Sequence, residues 1–147
     1  MIIAMANDHG GLALKKIVKE HLIERGYKVV DLGTHSEESV DYPIYGKACG
    51  EAVASGKADL GIVICGTGIG ISIAANKVKG IRCGLCTSVE MAELTKKHND
   101  ANMLALGGRT TDAELSIKIT DTWLDTEFEG GRHQRRIDKI TAIEAAQ

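Results

Sequence analysis

The stretch Leu60-Gly61-Ile62-Val63-Ile64-Cys65-Gly66-Thr67-Gly68-Ile69-Gly70 joins an apolar run to three alternating glycines. A short apolar run bounded by turn residues reads as a strand covered on both faces, the mark of a parallel sheet. The glycines turn the chain into a helix expected to begin just after them. They leave backbone N–H groups free to face an anion or a developing oxyanion, although a tight turn alone would also ask for glycine.

Working outward, the same alternation fills the chain. Ile2 to Ala6, Lys28 to Leu32, Ile81 to Cys86 and Met103 to Leu106 are further strand candidates, separated by amphipathic stretches. Leu14, Ile17, Val18, His21 and Leu22 recur at helical spacing until Gly26 stops the pattern, which makes His21 a packed helix residue. A second helix is expected over about Tyr42 to Ser55. Two later helices carry capping boxes, Thr87-x-x-Glu90 and Thr111-x-x-Glu114. Arg132 to Ala146 reads as a final helix, with Ile137, Ile140 and Ile143 on one side and Arg132, Arg135, Arg136 and Lys139 interleaved. With so few core positions, it is expected to dock on another subunit as readily as on its own sheet. The pattern predicts one α/β domain over 1–147, a five-stranded parallel sheet with helices on both faces.

Composition narrows the function classes. The 147 residues are 44% hydrophobic and carry a formal charge of −2 with no basic tract, which argues against a nucleic-acid binder. No apolar run approaches the ~20 residues of a membrane helix, and the first residues read as a strand rather than a signal peptide, so a cytoplasmic protein is expected. The four cysteines, at 49, 65, 83 and 86, lack a framework spacing and are expected as thiols. Cys83-Gly84-Leu85-Cys86 has the spacing of a redox pair or half a zinc site. Inside a strand that spacing puts the two on opposite faces, and no second pair completes a metal shell; small buried apolar residues are the simpler reading.

In an open parallel sheet, ligands bind beyond the carboxyl ends of the strands. The residues there are Asn7-Asp8-His9-Gly10-Gly11, the loop Cys65 to Gly70, and Gly107-Gly108-Arg109; the helix after the fourth strand ends at Lys97-His98-Asn99-Asp100. The glycine loop fits neither the dinucleotide fingerprint nor the P-loop. Cys65, against a helix N-terminus, reads equally as a thiolate base or nucleophile and as a core residue, the commoner role of such a cysteine in isolation. Asp8 can orient His9, and Asn99 adds a donor and acceptor beside His98. His35 and His133 have weaker contexts. Arg132 and Arg136 share a helix face and can clamp one phosphate, or simply form a solvated face.

Taken together, Asp8-His9-Gly10, Asp41-Tyr42-Pro43, the block from Cys65 to Lys77, Lys97-His98-Asn99 and Gly130-Gly131-Arg132-His133-Gln134 resemble the ribose-5-phosphate isomerase B family across nearly the whole chain. The resemblance implies a Rossmann-like three-layer α/β/α sandwich that interconverts ribose 5-phosphate and ribulose 5-phosphate without metal or organic cofactor. It implies a homodimer or homotetramer whose sites draw on two subunits. Cys65 then matches the base that moves a proton between C2 and C1 through a cis-enediolate, and the N–H groups of Gly66, Thr67, Gly68, Ile69 and Gly70 match the cradle of the enediolate oxygen. Asp8, Thr67 and His98 match positions that open the furanose ring, and Asn99 one that binds a substrate oxygen. His9, Arg109, Arg132 and Arg136 match the phosphate set, some given by the neighbouring subunit, and Tyr42 lines the pocket.

Two branches of the wider group differ. One replaces the cysteine base by a glutamate at the position held here by Ile71, which cannot abstract a proton. The galactose-6-phosphate isomerases divide the motifs between two polypeptides, whereas both sets lie on this chain. Competing readings are a six-carbon sugar-phosphate isomerase, a phosphometabolite-binding module without turnover, and a thiol redox protein using Cys83 and Cys86.

Overall fold

The structure, a computed structural model, describes residues 1–147. Strands β1 (Ile2–Asn7), β2 (Lys28–Asp31), β3 (Leu60–Cys65), β4 (Cys83–Leu85) and β5 (Met103–Gly107) alternate with helices α1 (Leu12–Glu24), α2 (Tyr42–Ala54), α3 (Ile69–Asn76), α4 (Val89–Asn99) and α5 (Ala113–Asp125), and α6 (Arg132–Ala145) ends the chain. All neighbouring strands are parallel, in the order β2-β1-β3-β5-β4.

Strand alternation sorts the core by size. Ile3, Met5, Ile62, Ile64, Leu104 and Leu106 face α1, α4 and α5, where Leu14, Leu22, Ile119 and the fully buried Trp123 meet them. Ala4, Ala6, Val63 and Ala105 face the opposite way, towards α2 and α3. The small residues bring those helices close, and the helices bring themselves close to one another. A Cβ at Gly46 would lie 3.0 Å from the Ile71 carbonyl, and one at Gly50 3.0 Å from the Val78 side chain. The two packed layers explain why β1, β3 and β5 are apolar without alternation, while the edge strand β2 is half exposed.

Several boundaries move from the expected ones. The fourth strand is only Cys83–Leu85; Ile81 and Cys86 flank it, still buried. Helix α3 starts at Ile69, before Gly70, because Gly68 takes up the turn at φ 78°. The two helix caps each fall one residue later than the capping boxes predict. Ser88 accepts from the Met91 amide at 3.1 Å and Asp112 from the Leu115 amide at 2.8 Å, both from extended backbone. Thr87 and Thr111 therefore precede the caps. Ile17 is exposed, and α1 packs through Leu14, Val18 and Leu22 instead. His21 is half-buried and meets Asp121 at 2.7 Å.

Helix α6 docks on its own chain. Ile137 and His133 are its buried residues, and the Glu144 carboxylate accepts from the Gly80 amide at 3.2 Å. Ile140 and Ile143 stay exposed.

Candidate active site

Three strand ends converge beside Cys65. The Asp8 amide donates to the Ile64 carbonyl at 3.2 Å, the Gly108 amide to the Cys65 carbonyl at 2.8 Å and the Arg109 amide to the Gly66 carbonyl at 2.8 Å. Only glycines allow the loops to approach so closely: a Cβ at Gly10 would lie 3.1 Å from the Gly66 nitrogen, and one at Gly108 2.6 Å from the Gly10 carbonyl oxygen.

Cys65 ends β3, nearly buried, and its Sγ accepts from the Gly68 amide at 3.2 Å. Burial pushes the Cys49 and Cys86 thiols up to about 12 and raises Cys83 further still, so they are held protonated. Cys83 packs on the α2/α3 side and Cys86 on the other, so the two side chains lie on opposite faces of the sheet.

The glycine loop divides its donors. Gly68 gives its amide to the sulfur and Ile69 gives its own to Thr67 Oγ1 at 3.2 Å, so these two are not free for a ligand as the sequence reading had it. The amides of Gly66, Thr67 and Gly70 have no partner in the chain. These three remain to hold an oxyanion at the positive end of α3.

Around this shelf sit the expected neighbours. Asp8 caps the single turn His9–Gly11, its Oδ1 accepting from the Gly11 amide at 3.2 Å, so one oxygen already has a structural task. His9 Nδ1 accepts from the Val40 amide at 3.1 Å, which places the proton of the neutral ring on Nε2 as a free donor. The Arg109 guanidinium lies over Gly66, and the Tyr42 ring over Gly70, where a Cβ would come within 2.6 Å of it.

The remaining expected residues are elsewhere. Helix α4 leaves the carboxyl end of β4 and runs back, so its last turn lies at the amino end of the sheet. There the Asn99 carbonyl accepts from Arg82 Nε at 2.8 Å, just ahead of β4. Along the six residues of β3, at ~3.3 Å each, roughly 17 Å or more separates that end from Cys65. His98, Asn99, Arg132 and Arg136 form a second cluster there. The Glu129 amide donates to the Lys97 carbonyl at 3.1 Å, and the His133 ring stacks on His98 with centroids 4.2 Å apart and planes within 14°. His133, next to Arg132 at the start of α6, is thereby buried in this cluster. A cavity of about 500 Å³ adjoins this end, lined by Asn76, Arg82, Asn99, Ile140 and Glu144 among others.

A family profile described as Ribose/Galactose Isomerase matches residues 3–140. The chain belongs to this isomerase family. It is 52% identical to the Escherichia coli (strain K12) ribose-5-phosphate isomerase B over 142 residues, 97% of this chain and 95% of that one. The solved structure of Clostridium thermocellum ribose-5-phosphate isomerase B is 55% identical, covers 99% of each chain and superposes with a TM-score of 0.98. That of the Mycoplasma genitalium enzyme with bound ribulose-5-phosphate is 46% identical, covers 99% of this chain and 97% of its own, with a TM-score of 0.95. The family's isomerase fold thus extends over the whole chain, including both clusters. No helix is long and apolar enough to cross a membrane.

Proposed function

We propose that this chain interconverts D-ribose 5-phosphate and D-ribulose 5-phosphate in the cytoplasm, with no metal or organic cofactor, as a homo-oligomer whose sites pair the Cys65 shelf of one copy with the His98 cluster of another. The observation that carries the chemistry is Cys65 Sγ at the N-terminus of α3, within 3.2 Å of the Gly68 amide. The helix end and that donor stabilise negative charge on the sulfur, suiting it to take the C2 proton and return it to C1. The amides of Gly66, Thr67 and Gly70 receive the enediolate oxygen, each well-aimed donor contributing ~3 kcal/mol. Nε2–H of His9 and the Arg109 guanidinium hold the phosphate from the shelf side, joined by Arg132 and Arg136 of the second copy. Tyr42 flanks the sugar. Ring opening needs one acid and one base, drawn from Asp8, Thr67 and the incoming His98, with Asn99 on a substrate oxygen.

The pairing of copies is supported by the separation of the two clusters in one chain, and by exposed apolar residues on both, Tyr42, Ile44, Ile69 and Ile73 on one side and Ile140 and Ile143 on the other. The naming of the relatives supports the substrate. The test is ribulose 5-phosphate formation with EDTA present, wild type beside Cys65→Ala, with proton exchange at C2 followed in heavy water. Cys65→Ala is expected to lose at least ~10²-fold in turnover while keeping substrate affinity. Near-wild-type turnover in Cys65→Ala would remove the cysteine as base, and binding without C2 exchange in the wild type would favour a sensor.

A further inference from the structure

The second cluster brings together three metal-ligating side chains from separate elements. His98 lies in the last turn of α4, Glu129 in the segment before α6 and His133 in the first turn of α6, and a ligand atom of each lies within 4.8 Å of the other two. The arrangement is built into the backbone. The bond from the Glu129 amide to the Lys97 carbonyl fastens the segment to α4, and Gly130 and Gly131, at φ 69° and 59°, turn the chain so that α6 starts over His98. His133 is 4% exposed and its Nε2 has no hydrogen-bond partner; Glu129 Oε2, at 3.7 Å, is beyond hydrogen-bond reach. A buried polar atom left unpaired is costly. Here it lies near a carboxylate, with a second imidazole stacked alongside that must turn out of the stack to join it, a donor set that zinc-type ions favour.

We propose that His98, Glu129 and His133 bind a divalent transition-metal ion of the zinc type, and that the ion inhibits the isomerase by occupying His98. Two imidazoles and a carboxylate supply three ligands and leave a fourth position to water. Bonds of about 2.0–2.2 Å require the three atoms to draw together, which rotation of the half-buried His98 and exposed Glu129 side chains permits. Arg132 and Arg136 oppose any cation, so the site favours ions with strong imidazole affinity over magnesium or calcium. The inhibitory half of the proposal rests on the role given to His98 under the proposed function; the binding half does not.

The experiment titrates EDTA-stripped protein with zinc chloride by calorimetry, repeats it with cobalt(II) as an optical probe, and follows turnover at each step. Expected is one ion per chain, weakened about tenfold or more in Glu129→Gln and in His133→Gln, with turnover lost on zinc and restored by EDTA. Glu129 is exposed, so its replacement leaves the fold intact; read against its own zinc-free turnover, Glu129→Gln should need about tenfold more zinc for the same fractional inhibition. Unchanged binding in both variants, or a strong near-ultraviolet thiolate band with cobalt that disappears in Cys65→Ala, would overturn the site. Zinc bound at the expected residues with turnover unaffected would overturn the inhibition and the role of His98 together. An inactive zinc-free wild type would instead count against the proposed substrate and leave the binding result standing.

Discussion

Lys15 is buried to 1% exposure, with its Nζ 2.8 Å from Asp31 Oδ2 and 3.3 Å from the Thr34 carbonyl. This pair fixes the start of the loop that ends at Val40, whose amide orients His9. Burial pulls the Asp31 carboxyl upward, but hydrogen bonds from Lys15, the Gly33 amide and Lys19 outweigh it and hold the group below its ordinary value. A depressed carboxyl contributes stability that is fully present above its unfolded value, near ~3.9, and is lost as pH falls through the folded one. Asp31→Asn strands a buried ammonium and should cost about 3–5 kcal/mol at pH 7. Urea unfolding at pH 7 and below pH 4 should show this gap closing on the acid side; a gap of constant size would assign the cost to packing. At Gly70 the conflict is steric. A Cβ there would come within 2.6 Å of the Tyr42 ring, which is exposed and can swing aside. Gly70→Ala should therefore fold with a thermal midpoint within a few degrees of wild type while KM for the sugar phosphate rises several-fold. An unchanged KM would remove Tyr42 from the pocket.

At the level of elements, helix starts show how a motif can be right in kind and off by one residue. Thr87 and Glu90 have capping-box spacing, yet Ser88 is the residue in extended conformation whose oxygen reaches the amide three residues on. Thr87 instead donates its hydroxyl to the Met91 sulfur. Ser88→Ala should lower stability by about 1 kcal/mol and Thr87→Ala by much less, read by chemical denaturation; the reverse order would restore the capping box. Helix α6 makes a different point. Its start is set by two left-handed glycines, its middle by Ile137, and its end by the Glu144 carboxylate on Gly80. It is attached at a few points to its own chain and leaves Ile140 and Ile143 uncovered, as an element shared with a second copy would.

On the scale of the molecule, the direction of α4 against the parallel strands separates the two clusters. Because α4 runs antiparallel to the strands, one chain carries Cys65 at one end of the sheet and His98 at the other. If two copies complete each site, mixing decides it. Cys65→Ala and His98→Ala homomers should both be inactive, while refolding them together in equal amounts should restore about a quarter of wild-type turnover. Half the dimers are then mixed, and each mixed dimer of a symmetric pair has one intact site. Absence of any recovery would place both residues in a single-chain site, against the geometry described above.

The elements of this protein were legible because their signals are local. Apolar runs, glycine turns and helical periodicity depend on neighbours a few residues away, and they placed β1, β3 and β5 and the loop around Cys65 within a residue or two. The family resemblance likewise lay in contiguous blocks. Tertiary structure decided what depends on distant contacts: which amides of the glycine loop the chain uses itself, that Asp8 spends an oxygen on a cap, and that His133 lies buried against His98. The order β2-β1-β3-β5-β4 belongs to the same class. Strand pairing is settled by how α2 and α3 pack on a face of small residues and α1, α4 and α5 on a face of large ones, and no single segment encodes that choice. The sequence by itself determined the elements and the blocks that mark the family; the fold alone decided that the candidate site residues stand at two ends of one sheet.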